Sequence, residues 1–328
     1  MSVPAPSHDQ TARDQTAHDR PESIAVPSHP SLTYTPYDGS SKPFTIGLAQ
    51  LEADGWIEPD DDLAEQVLLK RQLAGEHGEL VLRAEPGTEA AQQEVLDLLL
   101  DYLPAHHPDH YCLEGTCMAV AGVETDIADG DMMPLHRAGL LVQDDLVIMR
   151  RGDNGWRIAA AFLAFPSSWR LSEKFGLPMD EIHAHVPGFQ GGSRNAGLIN
   201  RMFDNLAPGR LVVRWNWSMN WSYSLYHPYA KSPEEKRGVA AEKAFIRVER
   251  QTLRKLPVSG DILFTIRIYL DPVSAILAQP NAAELSASMA GQLEAMSDDE
   301  VAYKGLTEKR SEIVAMLRRA EAVKSLAE

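Results

Sequence analysis

The chain has 328 residues, 44% of them apolar, enough to bury a substantial core as one large domain or two modest ones. Its 31 Lys and Arg stand against 47 Asp and Glu, and the net charge of −16 argues against nucleic acid or an anionic membrane surface as the main partner. Two cysteines, Cys112 and Cys117, are too few for a disulfide framework and lack the second pair that a zinc site would use, so a reducing, cytoplasmic setting fits.

In chain order, residues 1–33 are rich in Pro, Ser, Thr, Asp and His and carry no apolar run of the secretory type, which predicts a disordered tail. His8, His18 and His29 within it read as solvated residues. Order is expected to begin near Lys42, with a short β-like stretch, Trp56 as an apolar anchor, and a helix over "DDDLAEQVLLKRQLA" behind acidic capping candidates. A second amphipathic helix is predicted over 89–103, ended by "PAHHPDHY". His106, His107 and His110 there read as helix-terminal residues rather than as a metal patch.

From 138 to 165 two apolar runs flank "RRGDNGW", where Asp-Asn-Gly marks a hairpin. A third strand is predicted in 209–221 and two more in 243–271, joined at "LPVSGD". Beyond 280 the spacing is helical to the C-terminus. The order of elements predicts an α+β fold with an antiparallel sheet, without the alternating rhythm of a doubly wound one. No run approaches the ~18 apolar residues of a membrane span.

The common catalytic signatures are absent. In "GFQGGSRNAGL" Leu198 and Ile199 stand where a phosphate loop needs Lys and Ser or Thr, and no dinucleotide fingerprint, zincin helix, nucleophile elbow or covalent haem motif occurs. Two stretches remain. "EIHAHVPGF" (181–189) places His183 and His185 one residue apart before a Val-Pro-Gly turn; the imidazoles are either ligands or ordinary loop residues. If the segment is extended, both rings point the same way. "RWNWS" (214–218) alternates Arg214, Asn216 and Ser218 with Trp215 and Trp217, strand periodicity with a polar face. Taken alone, it favours a solvent-facing arginine on an edge strand.

Three blocks, "FPSSWRLSEKFGLPMDEIHAHVPGF" (165–189), "VVRWNWSMNW" (212–221) and "FIRVERQTLRKLPVSGDILFTIRIYL" (245–270), together with "VQDDLVIM" and "YKGL" (303–306), resemble the haem-dependent oxidative N-demethylase alpha-subunit family. The resemblance covers roughly residues 34–310, leaving a 1–33 tail and a 311–328 helical tail outside. It implies a PAS-like antiparallel sheet wrapped by helices and holding a noncovalent haem b. The family's IH-x-PVP pattern falls on Ile182 to Pro187, which implies His183 as the iron ligand, with His185 in place of the first proline and so beside the haem, hydrogen-bonded to a propionate, or competing as ligand.

The same resemblance implies that Arg214 and Ser218 line the oxygen and substrate pocket, where a guanidinium would stabilise developing negative charge and a hydroxyl would relay a proton. Arg247, Glu249, Arg250 and Arg267 read mainly as exposed cross-strand ion pairs, with one or more arginines as alternative anchors for haem propionates. The implied reaction is monooxygenase-like demethylation of a small amine such as dimethylamine, using O2 and electrons from an external NADPH-, flavin- or iron–sulfur-dependent reductase, and releasing formaldehyde. The alternatives are a haem-based gas or redox sensor, with the helical tail as its output contact, and a family member without haem.

Overall fold

The computed structural model describes residues 32–325, with side chains described to Glu321. The expectation of a disordered tail therefore lies, up to residue 31, outside the described residues. The chain begins with β1 (Ala49–Leu51), α1 (Leu63–His77), β2 (Leu82–Ala84) and α2 (Glu89–His106). A small meander follows, β3 (Tyr111–Glu114), β4 (Cys117–Val120) and β5 (Val123–Asp126), and then α3 (Pro134–Gly139). The hairpin is β6 (Asp145–Gly152) and β7 (Gly155–Phe162). Three short helices come next, α4 (Leu171–Lys174), α5 (Met179–Ile182) and α6 (Arg194–Asn205), then β8 (Leu211–Asn220) and α7 (Pro233–Arg237). The chain closes with β9 (Phe245–Lys255), β10 (Ile262–Pro272), α8 (Ser274–Leu277), α9 (Ala282–Ala295), α10 (Asp298–Tyr303) and α11 (Arg310–Ser325).

Seven strands form one antiparallel sheet in the order β1-β8-β9-β10-β6-β7-β2, flanked by helices, so the α+β expectation holds. The β6–β7 hairpin turns at Asp153-Asn154, as the sequence predicts, with Gly155 at φ +103°, a conformation glycine adopts without penalty. A register shift between Ile148 and Met149 pairs Met149 with Ile158 and leaves Ala159 as the extra residue. Such a bulge turns Ile158 to the same face as Val147 and Met149. It thereby completes an apolar wall.

Both faces of the sheet are covered, which is why β9 carries charges that an exposed strand would send to water. Behind the sheet, Trp56, Val67, Leu96, Leu99, Leu146, Ile148, Ala160 and Phe162 pack under α1, α2 and α3, while Trp217, Met219, Ile246 and Val248 pack under α9 and α11. Burying each large apolar side chain contributes about 1.5–3 kcal/mol. Gly139 ends α3 against Phe162 so closely that an added Cβ would lie 2.1 Å from the ring. Ile313 and Leu317 of α11 are fully buried in this layer, so the apolar face of the C-terminal helix is occupied by the protein's own core.

Three local expectations change. Helix α2 runs to His106, with Pro104 inside its last turn, and His107 places Nε2 2.9 Å from the Ile57 carbonyl while His106 stacks on Tyr102. Ala138 and Gly139, at the start of the stretch read as strand-like, instead end helix α3. The β3–β5 meander was not foreseen; its strands are four residues each, joined by tight turns at Gly115 and Gly122, too short for a periodicity signal.

Candidate functional site

The front of the sheet is not filled. Val147 and Met149 from β6, Ile158 from β7, Leu253 from β9 and Phe264 and Ile266 from β10 floor a cavity of about 260 Å³. Its roof comes from the segment between β7 and β8: Trp169, Met179, Ile182, Val186, Phe189, Ile199, Met202 and Phe203. Helix α6 holds its roof position through a Ser193 cap, whose hydroxyl accepts from the Ala196 amide at 3.1 Å. Phe44 closes one side with φ +56°, a left-handed conformation that bulky residues avoid, and packs edge-on to Tyr303 at 5.8 Å.

Into this apolar space project a few polar groups. His183 caps the C-terminal end of α5 and lines the cavity. Burial, reinforced by the charges of Lys174 and Arg214, pushes its imidazole down to about 4, against the opposing pull of the Met179 carbonyl and Asp180. It is therefore neutral at ordinary pH, the protonation state a metal ligand requires. His185 does not join it. Residues 183–185 form turns after the α5 helix rather than an extended strand, so the two rings diverge. His185 is exposed and lies on the outer openings, not in the cavity. The same-side expectation is thus corrected.

Arg214 and Asn216 of β8 face the cavity and Trp215 and Trp217 face away, as strand periodicity predicts, but the arginine is on a covered strand and is not solvent-facing. Its guanidinium donates to Gln251 Oε1 at 3.3 Å and to the Thr45 carbonyl at 3.1 Å, while Nε is buried without a partner. Burial lowers its pKa, with Glu249 opposing. Ser218 is on the same face but four residues along, roughly 13 Å at strand rise. It lines an outer vestibule of about 710 Å³ and not the inner cavity.

The reading of exposed cross-strand ion pairs is overturned. Arg247, Arg250 and Arg267 are at most 1% exposed. Arg247 donates to the Phe165 carbonyl at 2.6 Å and to Glu249 at 3.3 Å; Arg250 donates to the Trp56 and Gly55 carbonyls and pairs with Glu58 at 3.2 Å. Arg267 bonds Gln66 and the Ile268 carbonyl and pairs with Asp60. None of the three lines the cavity.

Glu249 does. Arg247, Asn216 and Gln251 donate to its oxygens, at 3.3, 3.3 and 2.9 Å, and these charges and donors hold the carboxyl below its usual range despite the burial that opposes them.

Four further groups were not singled out in the sequence. Asp145 faces the cavity at the start of β6, accepts from the Ala164 and Phe165 amides at 2.8 and 3.0 Å, and is pushed up to about 6 by burial. Lys174 and Lys304 both line the passage from inner cavity to vestibule. His227, in the vestibule wall, is pushed down to about 4 by burial with help from Arg247 and Lys231, and sits 3.4 Å from the Ser222 hydroxyl. Lys304 and Asp145 fall in the quoted motifs "YKGL" and "VQDDLVIM", but nothing in a local pattern says that a lone lysine or aspartate is buried.

The family model described as "Haem-dependent oxidative N-demethylase, alpha subunit-like" matches residues 47–314. The chain belongs to this family. The matched span runs from β1 into α11 and contains every wall of the cavity except Phe44 and Ile46. Among the described residues there is no group of three or more His, Cys, Asp or Glu side chains placed to hold a bare metal ion, and no helix is long and apolar enough to cross a membrane.

Proposed function

We propose that the front cavity seats a haem b through His183 and that the protein carries out oxidative N-demethylation of a small secondary or tertiary amine of the dimethylamine type. The observation that carries this reading is one neutral imidazole, lining an apolar chamber between sheet and roof, in a chain of this family. The donor set suits the group: His183 would hold the iron, the apolar walls would face the ring, and the cations at the cavity's edge would meet its carboxylates. When bound, the haem would supply oxygen activation and one-electron chemistry.

The rest falls to the chain's own residues. His183 offers a neutral ring nitrogen to the cavity, its backbone amide tied to the Met179 carbonyl at 3.1 Å. Arg214, held by Gln251 and Thr45, keeps a full positive charge in a dry site, where it stabilises negative charge far better than in water. Glu249, kept ionised by its three donors, offsets part of the positive charge of Arg214. Val147, Met149, Ile158, Leu253 and Phe264 exclude water from the reacting methyl group. Ser218, in the vestibule, is placed to pass protons between solvent and passage rather than to touch substrate. With no dinucleotide fingerprint in the chain, reducing equivalents come from a separate reductase.

The test is turnover. Haem-loaded protein given dimethylamine, O2 and a reductant should release formaldehyde in step with the demethylated amine, and Arg214→Leu should lower the rate by about 10²–10³-fold if its charge acts as argued. Loaded protein that consumes reductant with every small amine tried and releases no formaldehyde would overturn the reading.

A further inference from the structure

Lys174 and Lys304 stand where the inner cavity opens into the vestibule and line both spaces. Neither ammonium has a carboxylate partner among the described residues. Lys174 lies 4.3 Å from the centre of the Trp169 ring, and Lys304 donates to the Trp217 carbonyl and lies about 5 Å from the rings of Phe44 and Trp217. Burial lowers both, Lys304 to about 8.

The carboxylate whose charge reaches both is Glu249, which also acts on Arg214, and its oxygens already receive Arg247, Asn216 and Gln251. The other two acidic neighbours are committed as well: Glu173 is bound by Arg170, and Glu300 accepts from the Ser297 amide. Three cations around one saturated carboxylate leave the passage with surplus positive charge, met only by aromatic rings and, for Lys304, by the Trp217 carbonyl. Desolvated charge of this kind is costly unless an anion meets it.

We infer that Lys174 and Lys304 form a carboxylate-binding pair in the passage, and that the carboxylates they take are the two propionates of the porphyrin. The inference rests on the haem reading above. It also reassigns the propionate anchors. The arginines suggested by the sequence are spent on main-chain carbonyls and on Glu58, Asp60 and Glu249.

The experiment is a spectrophotometric titration of the full-length apoprotein with haemin and with haemin dimethyl ester, which lacks the two charges. Wild type should bind the diacid about tenfold or more tightly than the diester, the scale of two charge-assisted hydrogen bonds. In the Lys174→Met, Lys304→Met double variant that preference should vanish, with diester affinity within about twofold of wild type, which also shows that the cavity is intact. Lys174→Arg with Lys304→Arg should keep the preference.

A preference retained in the Met variant would overturn the inference while leaving the haem reading standing. Equal binding of both porphyrins by wild type, with lysine-dependent thermal protection by succinate, would mean that the pair takes a substrate carboxylate and would overturn the propionate assignment. Failure of wild type to bind either porphyrin would remove the haem reading and this inference with it.

Discussion

Charged side chains are buried on both faces of the sheet, packed into core behind it and bordering a cavity in front. Behind the sheet, Lys70, Arg250 and Arg267 spend their donors on the carbonyls of Val142, Asp144, Trp56, Gly55 and Ile268 and on Asp60 and Glu58, around the buried Asp144. In front, Arg214 keeps an unpartnered Nε, Lys174 has only the Trp169 ring, and His183 is held neutral beside open space. Burial alone does not separate structural charge from functional charge. Open space does: behind the sheet Arg267 Nε and both Asp144 oxygens also lack hydrogen-bond partners, but they do not line the front cavity, whereas Arg214, Lys174 and His183 border a space that a ligand can enter.

Breaking the rear network should produce the largest effect. Arg267→Met removes the bond to Gln66, the ion pair with the partly exposed Asp60 and a cation from beside the buried Asp144, so unfolding in urea should show a loss of about 3 kcal/mol. Next comes packing behind the sheet: Gly139→Ala forces a methyl into Phe162 and should cost about 1–3 kcal/mol by the same measurement.

The front should respond to pH through His183. Its folded-state pKa is depressed to about 4 from 6.5, so below pH 6.5 the unfolded chain takes up a proton that the folded protein refuses, and stability is lost as pH falls toward 4. At pH 5 wild-type apoprotein should have lost about 1–2 kcal/mol more than His183→Leu, each relative to its own value at pH 7.5. The comparison with the variant is essential, since Asp145 and Asp271, raised to about 6, shift the opposite way in both proteins. The smallest effect belongs to Lys174→Met, which removes a desolvated charge with no carboxylate partner and should raise apoprotein stability by about 1 kcal/mol. A loss comparable to Arg267→Met would erase the distinction between the faces.

How much of this was legible in the sequence follows from the same contrast. Strands β6 to β10 were readable because apolar and polar residues alternate and Asp-Asn-Gly marks the hairpin, and α1 and α2 because leucines recur at helical intervals. The alternation of β9 misled at a second level. Phe245, Val248 and Leu253 among arginines look amphipathic, yet the charged residues are buried too, a tertiary fact that no strand carries locally. For the site, the long motifs led to the segment holding His183, and strand periodicity placed Arg214 on the correct face. The divergence of His183 and His185 was not readable, since it depends on a four-residue helix whose turn follows from packing of Met179 and Ile182 under the roof. Lys174, Glu249 and Lys304 converge from three distant segments, and only the folded chain brings them to one passage.

On the proposed reading, His183 is the one histidine that ties a cofactor to the front cavity. The absorption spectrum of protein reconstituted with haemin, compared with His183→Ala, His185→Ala and His227→Ala, tests it most directly. The account predicts a Soret band of a histidine-ligated haem in wild type, kept in His185→Ala and His227→Ala and lost or shifted in His183→Ala alone. An unchanged band in His183→Ala, or a wild type that takes up no haem, would contradict it.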